Sequence, residues 1–146
     1  MYRSNESAQF RQIPDLGPKP SIINMNRAAS INQSFRTALW TGGHLQVTLM
    51  SIPVGESIGI EQHDNLDQFI RVEHGRAGVT MGYTPNDLGE QQPIDESYAV
   101  IIPAGTWHNI ANIGNSPLKL YSIYAPPQHP FGTVHKTKAD AEAADS

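Results

Sequence analysis

Two short stretches of the chain, 55–75 and 103–112, contain polar residues whose side chains can bind metal. Glycines and prolines flank these residues. Successive side chains of a β-strand point to opposite faces, so Glu61 and His63 are expected to project from the same face. The residues between His63 and Gln68 are polar and turn-forming, which predicts a hairpin in which Gln68 returns opposite His63. The pattern therefore favours short strands that fold tightly onto one another.

His108 lies in the second stretch, directly after a predicted turn. Residues 98–102 form an apolar run typical of a strand, and Pro103 and Gly105 mark its end. Proline cannot donate to a strand ladder and glycine permits a positive φ, so a corner here would bring His108 back toward the hairpin. Four candidate ligands of one metal ion are then brought together: Glu61, His63, Gln68 and His108.

The spacing of these residues resembles the two sequence motifs of the cupin superfamily, over roughly residues 40–126. Positions that keep the motifs are Gly55, His63, Gly75, Pro103, Gly105, His108 and Asn112. Three positions depart, because Glu61 replaces a histidine, Gln68 replaces a glutamate and Ser97 replaces a glycine. The resemblance implies an all-β fold, the double-stranded β-helix or jelly-roll barrel, with a metal ion near its centre.

The remainder of the chain predicts one barrel with an appendage at each end, since 146 residues are about enough for one domain. Residues 1–30 are expected to form an extended N-terminal arm, which is a candidate for addition to a neighbouring subunit's sheet. The cupin barrel is assigned to 31–128 and a C-terminal extension to 129–146. The extension ends in a predicted short helix over 138–144. The resemblance also implies a homodimer.

Composition narrows the expected partners to a small-molecule substrate or ligand. The net charge is −4 and lysines and arginines are scattered, so no basic surface for nucleic acid or an anionic membrane is indicated. No apolar run approaches the length of a membrane span, and the polar N-terminus lacks the apolar core of a signal peptide. The absence of cysteine excludes disulfides and thiolate metal sites, and a cytoplasmic location is expected.

The candidate ligands determine which metals and which chemistry are expected. Glu61, His63 and His108 provide two imidazoles and one carboxylate, the ligand inventory of facial-triad iron enzymes, and Gln68 adds a weaker amide oxygen. Such a set suits one divalent ion of Mn, Fe, Zn, Ni or Co, with Mn or Fe slightly favoured. A divalent ion with one anionic ligand keeps a positive charge, so it can polarise a carbonyl oxygen as a Lewis acid.

Three functions remain open at this point. The first is a metal-dependent isomerase or epimerase that moves a proton beside a carbonyl, as in cupins similar to phosphosugar isomerases. No glycine-rich loop or cluster of arginine and lysine is present to hold a phosphate. The second function is a non-haem dioxygenase, and the third is a cupin that binds or senses a metal or small ligand without catalysis.

Four further residues are secondary catalytic candidates, and each has a competing structural interpretation. His44 lies at a predicted turn, where a hydrogen-bonded turn histidine is the more common case. His129 and His135 lie among prolines and glycine near the C-terminus, where an acid–base role competes with loop capping. Tyr121 lies on the opposite face of its strand from Tyr124, so only one of the two tyrosines can point into the barrel.

Overall fold

The structure is a computed structural model that describes residues 13–145. Within this range nine strands form two antiparallel sheets, flanked by a short helix at each end of the strand series. In chain order the elements are α1 (Met25–Ile31), β1 (Arg36–Thr41), β2 (Gln46–Ile52), β3 (Asp67–His74), β4 (Ala77–Gly82), β5 (Gln92–Ile94), β6 (Ala99–Ile102), β7 (Trp107–Asn112), β8 (Leu118–Ala125), β9 (Val134–His135) and α2 (Lys138–Asp145). One sheet has the order β6-β3-β8-β2-β1-β9 and the other β5-β4-β7. The predicted all-β barrel with a short C-terminal helix is confirmed.

Side chains on the inward face of the large sheet follow the two-residue period of a strand. On β3, Gln68, Ile70 and Val72 are buried, while Asp67, which precedes them, and Arg71, which lies between Ile70 and Val72, are exposed. A one-residue slip in register would reverse this arrangement, so burial of the apolar residues holds Gln68 on the inner face as well.

The barrel interior divides into two regions along the strands. The first, which we call the apolar end, is filled by hydrophobic side chains that include Met50, Ile52, Ile70, Val72, Ile110, Leu118 and Leu120. The second, which we call the polar end, contains the buried side chains of Gln46, Thr48, Gln68, His108, Ser122 and Tyr124. Both regions lie on the same strands, since Ile52 pairs with Leu118 and Gln46 with Tyr124 at opposite ends of β2 and β8.

The described part of the N-terminal region, residues 13–31, packs against the outer face of the large sheet of its own chain. The predicted extended arm is interrupted by α1, whose first turn is capped by the Asn24 side chain accepting from the Arg27 N–H at 3.0 Å. Ala28 and Ala29 are buried with Leu39 and Leu49, because small side chains allow the helix to approach the sheet closely. Addition of the arm to a neighbouring subunit stays a prediction, and residues 1–12 lie outside the described range.

The C-terminal extension continues both the sheet and the core beyond residue 128. Strand β9 pairs with β1, with His135 opposite Arg36, and Ala141 of α2 is buried in the apolar end. In the part of the chain that the structure describes, no helix is long and apolar enough to cross a membrane.

The predicted hairpin between residues 61–63 and β3 does not form. Both edges of β3 are occupied, by β6 on one side and β8 on the other, so no edge is free to accept the preceding segment. Glu61 instead forms an isolated bridge with His108 of β7 in the second sheet. The predicted ligands still lie close together, because residues 57–63, which we call the ligand segment, pair directly with the strand that carries His108.

Candidate metal centre

Backbone hydrogen bonds fix the ligand segment against β7. The Glu61 N–H donates to the His108 carbonyl at 3.0 Å, and the His108 N–H donates to the Glu61 carbonyl at 2.9 Å. The Gly105 N–H donates to the His63 carbonyl at 2.7 Å, and Gly105 has a φ of +87°, the left-handed conformation that the sequence predicts for this corner. These backbone hydrogen bonds therefore fix the positions of Glu61, His63 and His108 relative to one another.

The side chains of Glu61, His63 and His108 converge. One potential ligand atom from each lies within 4.8 Å of the others, and the two imidazole centroids are 5.8 Å apart. Glu61 Oε1 and His63 Nε2 are separated by 2.9 Å. This compact group of one carboxylate and two imidazoles is positioned for metal binding, as the sequence predicts.

The histidine nitrogens that face one another have no hydrogen-bond partner. His108 is buried, and its Nδ1 contacts the Thr106 carbonyl at 3.0 Å, which makes Nδ1 the protonated nitrogen and leaves a lone pair on Nε2. Among the described residues, the Nε2 atoms of His108 and His63 are buried without a hydrogen-bond partner, although Glu61 Oε1 approaches His63 Nε2 to 2.9 Å. Metal-binding histidines typically use the second ring nitrogen in this way to fix tautomer and orientation.

Gln68 also presents an unpartnered buried atom on the inner face of β3. Its Nε2 donates to Ser122 Oγ at 2.8 Å, which orients the amide and directs the carbonyl oxygen away from Ser122. Gln68 is 4 % exposed, and its Oε1 has no hydrogen-bond partner. A buried amide oxygen without a donor is uncommon in proteins, and a bound cation would satisfy it.

Electrostatics hold the ligands in the protonation states that bind metal. Burial alone would raise the pKa of Glu61. Contact with the His63 imidazole and the charges of His63, His108 and Arg36 outweigh the effect of burial, so the pKa of Glu61 is lowered. Burial lowers the pKa of His108, although the hydrogen bond to Thr106 opposes this shift. The carboxylate is therefore ionised and the imidazole neutral at neutral pH. The nitrogen and oxygen donors fit a divalent transition-metal ion, whose identity is unknown.

Two of the secondary catalytic candidates lie away from this cluster. His44 is exposed in the turn between β1 and β2. Tyr121 projects from the outer face of β8, where its ring stacks on Phe69 with centroids 6.5 Å apart, so the interpretation of Tyr121 as a site residue is wrong. Tyr124 is the tyrosine that points inward, and its ring meets His63 edge-on at 5.8 Å.

His129 and His135 lie within the polar end. The His129 ring contacts Tyr124 edge-on at 5.3 Å and His135 at 6.2 Å. Burial, with repulsion from Arg36, lowers the pKa of His129 to about 3, so its imidazole is neutral at neutral pH. His135 is buried on β9, where its Nδ1 accepts from Arg36 Nη1 at 3.2 Å.

Two polar residues of the interior, Gln46 and Arg36, are absent from the sequence prediction. Gln46 holds the backbone of His129 from both sides, since its Oε1 accepts from the His129 N–H at 2.9 Å and its Nε2 donates to the His129 carbonyl at 2.8 Å. A signal for Gln46 exists in the sequence, because Gln46 and Thr48 occupy the same face of β2 as the apolar Met50 and Ile52. Arg36 is the first residue of β1, where its position gives no comparable signal.

Comparison with known proteins agrees with this architecture. Residues 48–124, more than half of the chain, match the family described as Cupin domain, and the matched region includes all four predicted ligands. The match extends from β2 to β8, so it contains the strands that form most of the large sheet and the whole of the small one.

Individual relatives extend the match over nearly the whole chain. The Bacillus subtilis protein YrkC is 60 % identical over 143 residues, which cover 98 % of this chain and 77 % of YrkC. The crystal structure of BH2720 from Bacillus halodurans has a TM-score of 0.88 at 60 % identity and covers 90 % of this chain and 99 % of BH2720. TT1209 from Thermus thermophilus shares the fold at 21 % identity, with a TM-score of 0.62 and coverage of 73 % and 98 %. The chain therefore belongs to the cupin domain family.

Proposed function

We propose that the protein is a metalloenzyme that acts on a small oxygen-containing molecule, with one divalent ion held by Glu61, His63, Gln68 and His108. The observation that carries this proposal is the set of buried atoms without hydrogen-bond partners: His63 Nε2, His108 Nε2 and Gln68 Oε1. Each unsatisfied buried polar atom costs about 1–3 kcal/mol of stability. Three such atoms at one end of a barrel are best accounted for by a cation that satisfies them together.

The reaction class that the surrounding residues support is proton transfer beside a carbonyl group, as in isomerases and epimerases. A bound divalent ion would supply Lewis acidity toward the carbonyl oxygen. Burial raises the pKa of Tyr124, so its phenol keeps its proton and can donate a hydrogen bond to an oxygen. The imidazole of His129 is neutral at neutral pH and has an unpartnered Nε2 that can form a hydrogen bond with a bound molecule. Two groups that can form hydrogen bonds with a substrate therefore accompany the proposed Lewis acid.

A dioxygenase is the second candidate, and the ligand inventory is the observation that favours it. Two imidazoles and one carboxylate form the ligand set of many non-haem iron oxygenases. Both candidate functions use the same metal centre, but only the dioxygenase consumes molecular oxygen. Oxygen consumption can therefore distinguish them.

Metal content tests the proposal directly. Protein purified without added metal and analysed by elemental mass spectrometry should contain about one divalent transition-metal ion per chain, and the His108→Ala variant should contain almost none. His44→Ala is the matched control, because it removes an exposed histidine and should keep the full content. Wild-type protein that stays empty after incubation with Mn, Fe, Co, Ni and Zn salts would overturn the proposal.

The two reaction classes are separated by a second measurement on the metal-loaded protein. Hydroxyketones and diketones are incubated in D2O while dissolved oxygen is recorded. An isomerase should introduce deuterium beside the carbonyl without consuming oxygen, and an iron dioxygenase should consume oxygen in proportion to substrate. Deuterium incorporation that persists in His108→Ala would show that the exchange does not depend on the metal centre.

A further inference from the structure

Arg36 carries a positive charge inside the barrel and has no carboxylate partner among the described residues. Its side chain is 5 % exposed, and its position opposite Met50 in the β1–β2 register places it on the inward face. The ion pairs among residues 13–145 join His63 to Glu61 and Arg71 to Glu73, and neither includes Arg36. A buried, unpaired charge is unfavourable unless a partner of opposite charge compensates it.

The groups that contact Arg36 do not neutralise it. Nη1 approaches Nδ1 of His135 at 3.2 Å, and the guanidinium carbon lies 5.5 Å from the centroid of the Phe35 ring. Since arginine only donates, His135 Nδ1 must accept in this contact. The Nε atom of Arg36 is buried and has no hydrogen-bond partner. The guanidinium therefore has a free donor and an unbalanced charge.

A continuous series of ring contacts joins Arg36 to the candidate metal centre. From His135 the series passes to His129 at 6.2 Å, from His129 to Tyr124 at 5.3 Å, and from Tyr124 to His63 at 5.8 Å. Arg36 and the ligand cluster are therefore two parts of one polar interior.

The charges of this interior are unbalanced when the metal site is filled. A divalent ion and Arg36 would contribute three positive charges, and Glu61 is the one carboxylate of the ligand group. We propose that the substrate of the metal centre is a small carboxylate-bearing molecule whose negative charge is recognised by Arg36. This inference rests on the proposed function, because it assigns the substrate class of the same site.

The choice of a carboxylate over a phosphate follows from the number of cations. Arg36 is the only lysine or arginine among the buried residues of the described chain. A single planar guanidinium matches the charge and the two oxygens of a carboxylate, whereas a phosphate dianion is usually held by several donors and cations. Inorganic phosphate therefore serves as a comparison ligand in the test.

The test measures binding of two ligands that differ in charge and little in shape. Glycolate and its neutral amide, glycolamide, are titrated into the Co²⁺-loaded protein, and binding is followed by calorimetry and by the visible spectrum of the cobalt ion. Glycolate should bind roughly tenfold more tightly than glycolamide, because a hydrogen bond to a charged group is worth more than one between neutral groups. Arg36→Gln should abolish this preference, and Arg36→Lys should keep part of it.

The controls separate this inference from the metal proposal and from folding. Arg71→Gln removes an exposed arginine on the outer face of β3 and should leave the glycolate preference unchanged. Metal content is measured for every variant, so a protein that binds no cobalt contradicts the proposed function rather than the substrate class. Equal affinities of glycolate and glycolamide for the wild type, tighter binding of phosphate than glycolate, or an undiminished preference in Arg36→Gln would overturn the inference. If Arg36→Gln does not fold, the wild-type ligand pair and Arg36→Lys decide the question.

Discussion

The apolar end and the polar end of the barrel use the same strands but different chemistry. On β8 the inward residues change from Leu118 and Leu120 to Ser122 and Tyr124 within a single strand. At the apolar end buried surface contributes to stability roughly in proportion to its area. At the polar end several buried atoms have no partner, which opposes stability. The stabilising apolar core and the candidate metal site therefore lie at opposite ends of the same barrel.

This separation explains how a small barrel can hold an unsatisfied polar site. The register that places Leu120 opposite Met50 also places Tyr124 opposite Gln46, so packing at the apolar end fixes side chains at the other end. The first three of the following predictions each change one end, and the fourth changes a residue outside both.

The largest expected effect on stability comes from Leu120→Ala at the apolar end. Leu120 is fully buried, so its truncation should lower the free energy of unfolding by about 3 kcal/mol through lost burial and a residual cavity. Urea denaturation of the metal-free protein measures this loss. The metal content of the folded variant should stay at the wild-type value, and a lower content would show that the two ends are coupled.

Gln68→Glu at the polar end should move stability and metal affinity in opposite directions. A second buried carboxylate near Glu61 should lower the stability of the metal-free protein by about 2 kcal/mol, since two negative charges are desolvated together. The added charge should raise metal affinity roughly tenfold. Urea denaturation and competition with a chelator measure the two quantities. Gln92→Glu, at an exposed edge position, is the control and should change neither.

Acid should destabilise the polar end through His129. Its pKa is about 3 in the folded protein and near 6.5 when unfolded, so the unfolded state binds more protons between these values. Stability of the metal-free protein should therefore fall as pH decreases below about 6.5, by about 1.4 kcal/mol per pH unit from His129 alone. Urea denaturation at pH 6.5 and 5.5 should show a smaller fall in His129→Gln. An equal fall in both proteins would exclude His129 as the source.

The smallest predicted effect lies outside both ends, at Ser97. This residue has a φ of +81°, a conformation that favours glycine, and glycine is the residue of the cupin motif at this position. Ser97→Gly should therefore stabilise the protein by about 0.5–1 kcal/mol without changing metal content. Thermal denaturation measures the change, and a lower melting temperature would mean that the serine side chain contributes more than the backbone conformation costs.

Local sequence spacing predicts only part of the ligand group, because Glu61 and His63 are close in the chain whereas His108 joins them through tertiary pairing. Glu61 and His63 are two residues apart, and the glycine at 105 turns the chain before His108. Pairing partners were harder to predict, since the occupied edges of β3 direct the ligand segment to β7. The choice between Tyr121 and Tyr124 likewise depends on register with β2 and β3, which the sequence of β8 alone does not contain.

The burial of Arg36 could not be predicted from the sequence for a different reason. An arginine in a strand is usually exposed, and only the pairing of β1 with both β2 and β9 shows that this one is enclosed. His135, which contacts it, lies 99 residues later in the chain. Contacts of this kind follow from tertiary structure, so a motif search around the metal ligands does not find them.

The segment that carries Glu61 also protects the protein from association between sheet edges. Strand β7 is the edge strand of the smaller sheet, and the isolated bridges of Ser57 with Ala111 and of Glu61 with His108 cover its open side. An uncovered strand edge is a template for pairing with another chain. Release of residues 57–61 would therefore expose the six residues of β7 to pairing with another chain. Keeping this segment ordered is expected to reduce aggregation as well as to position Glu61.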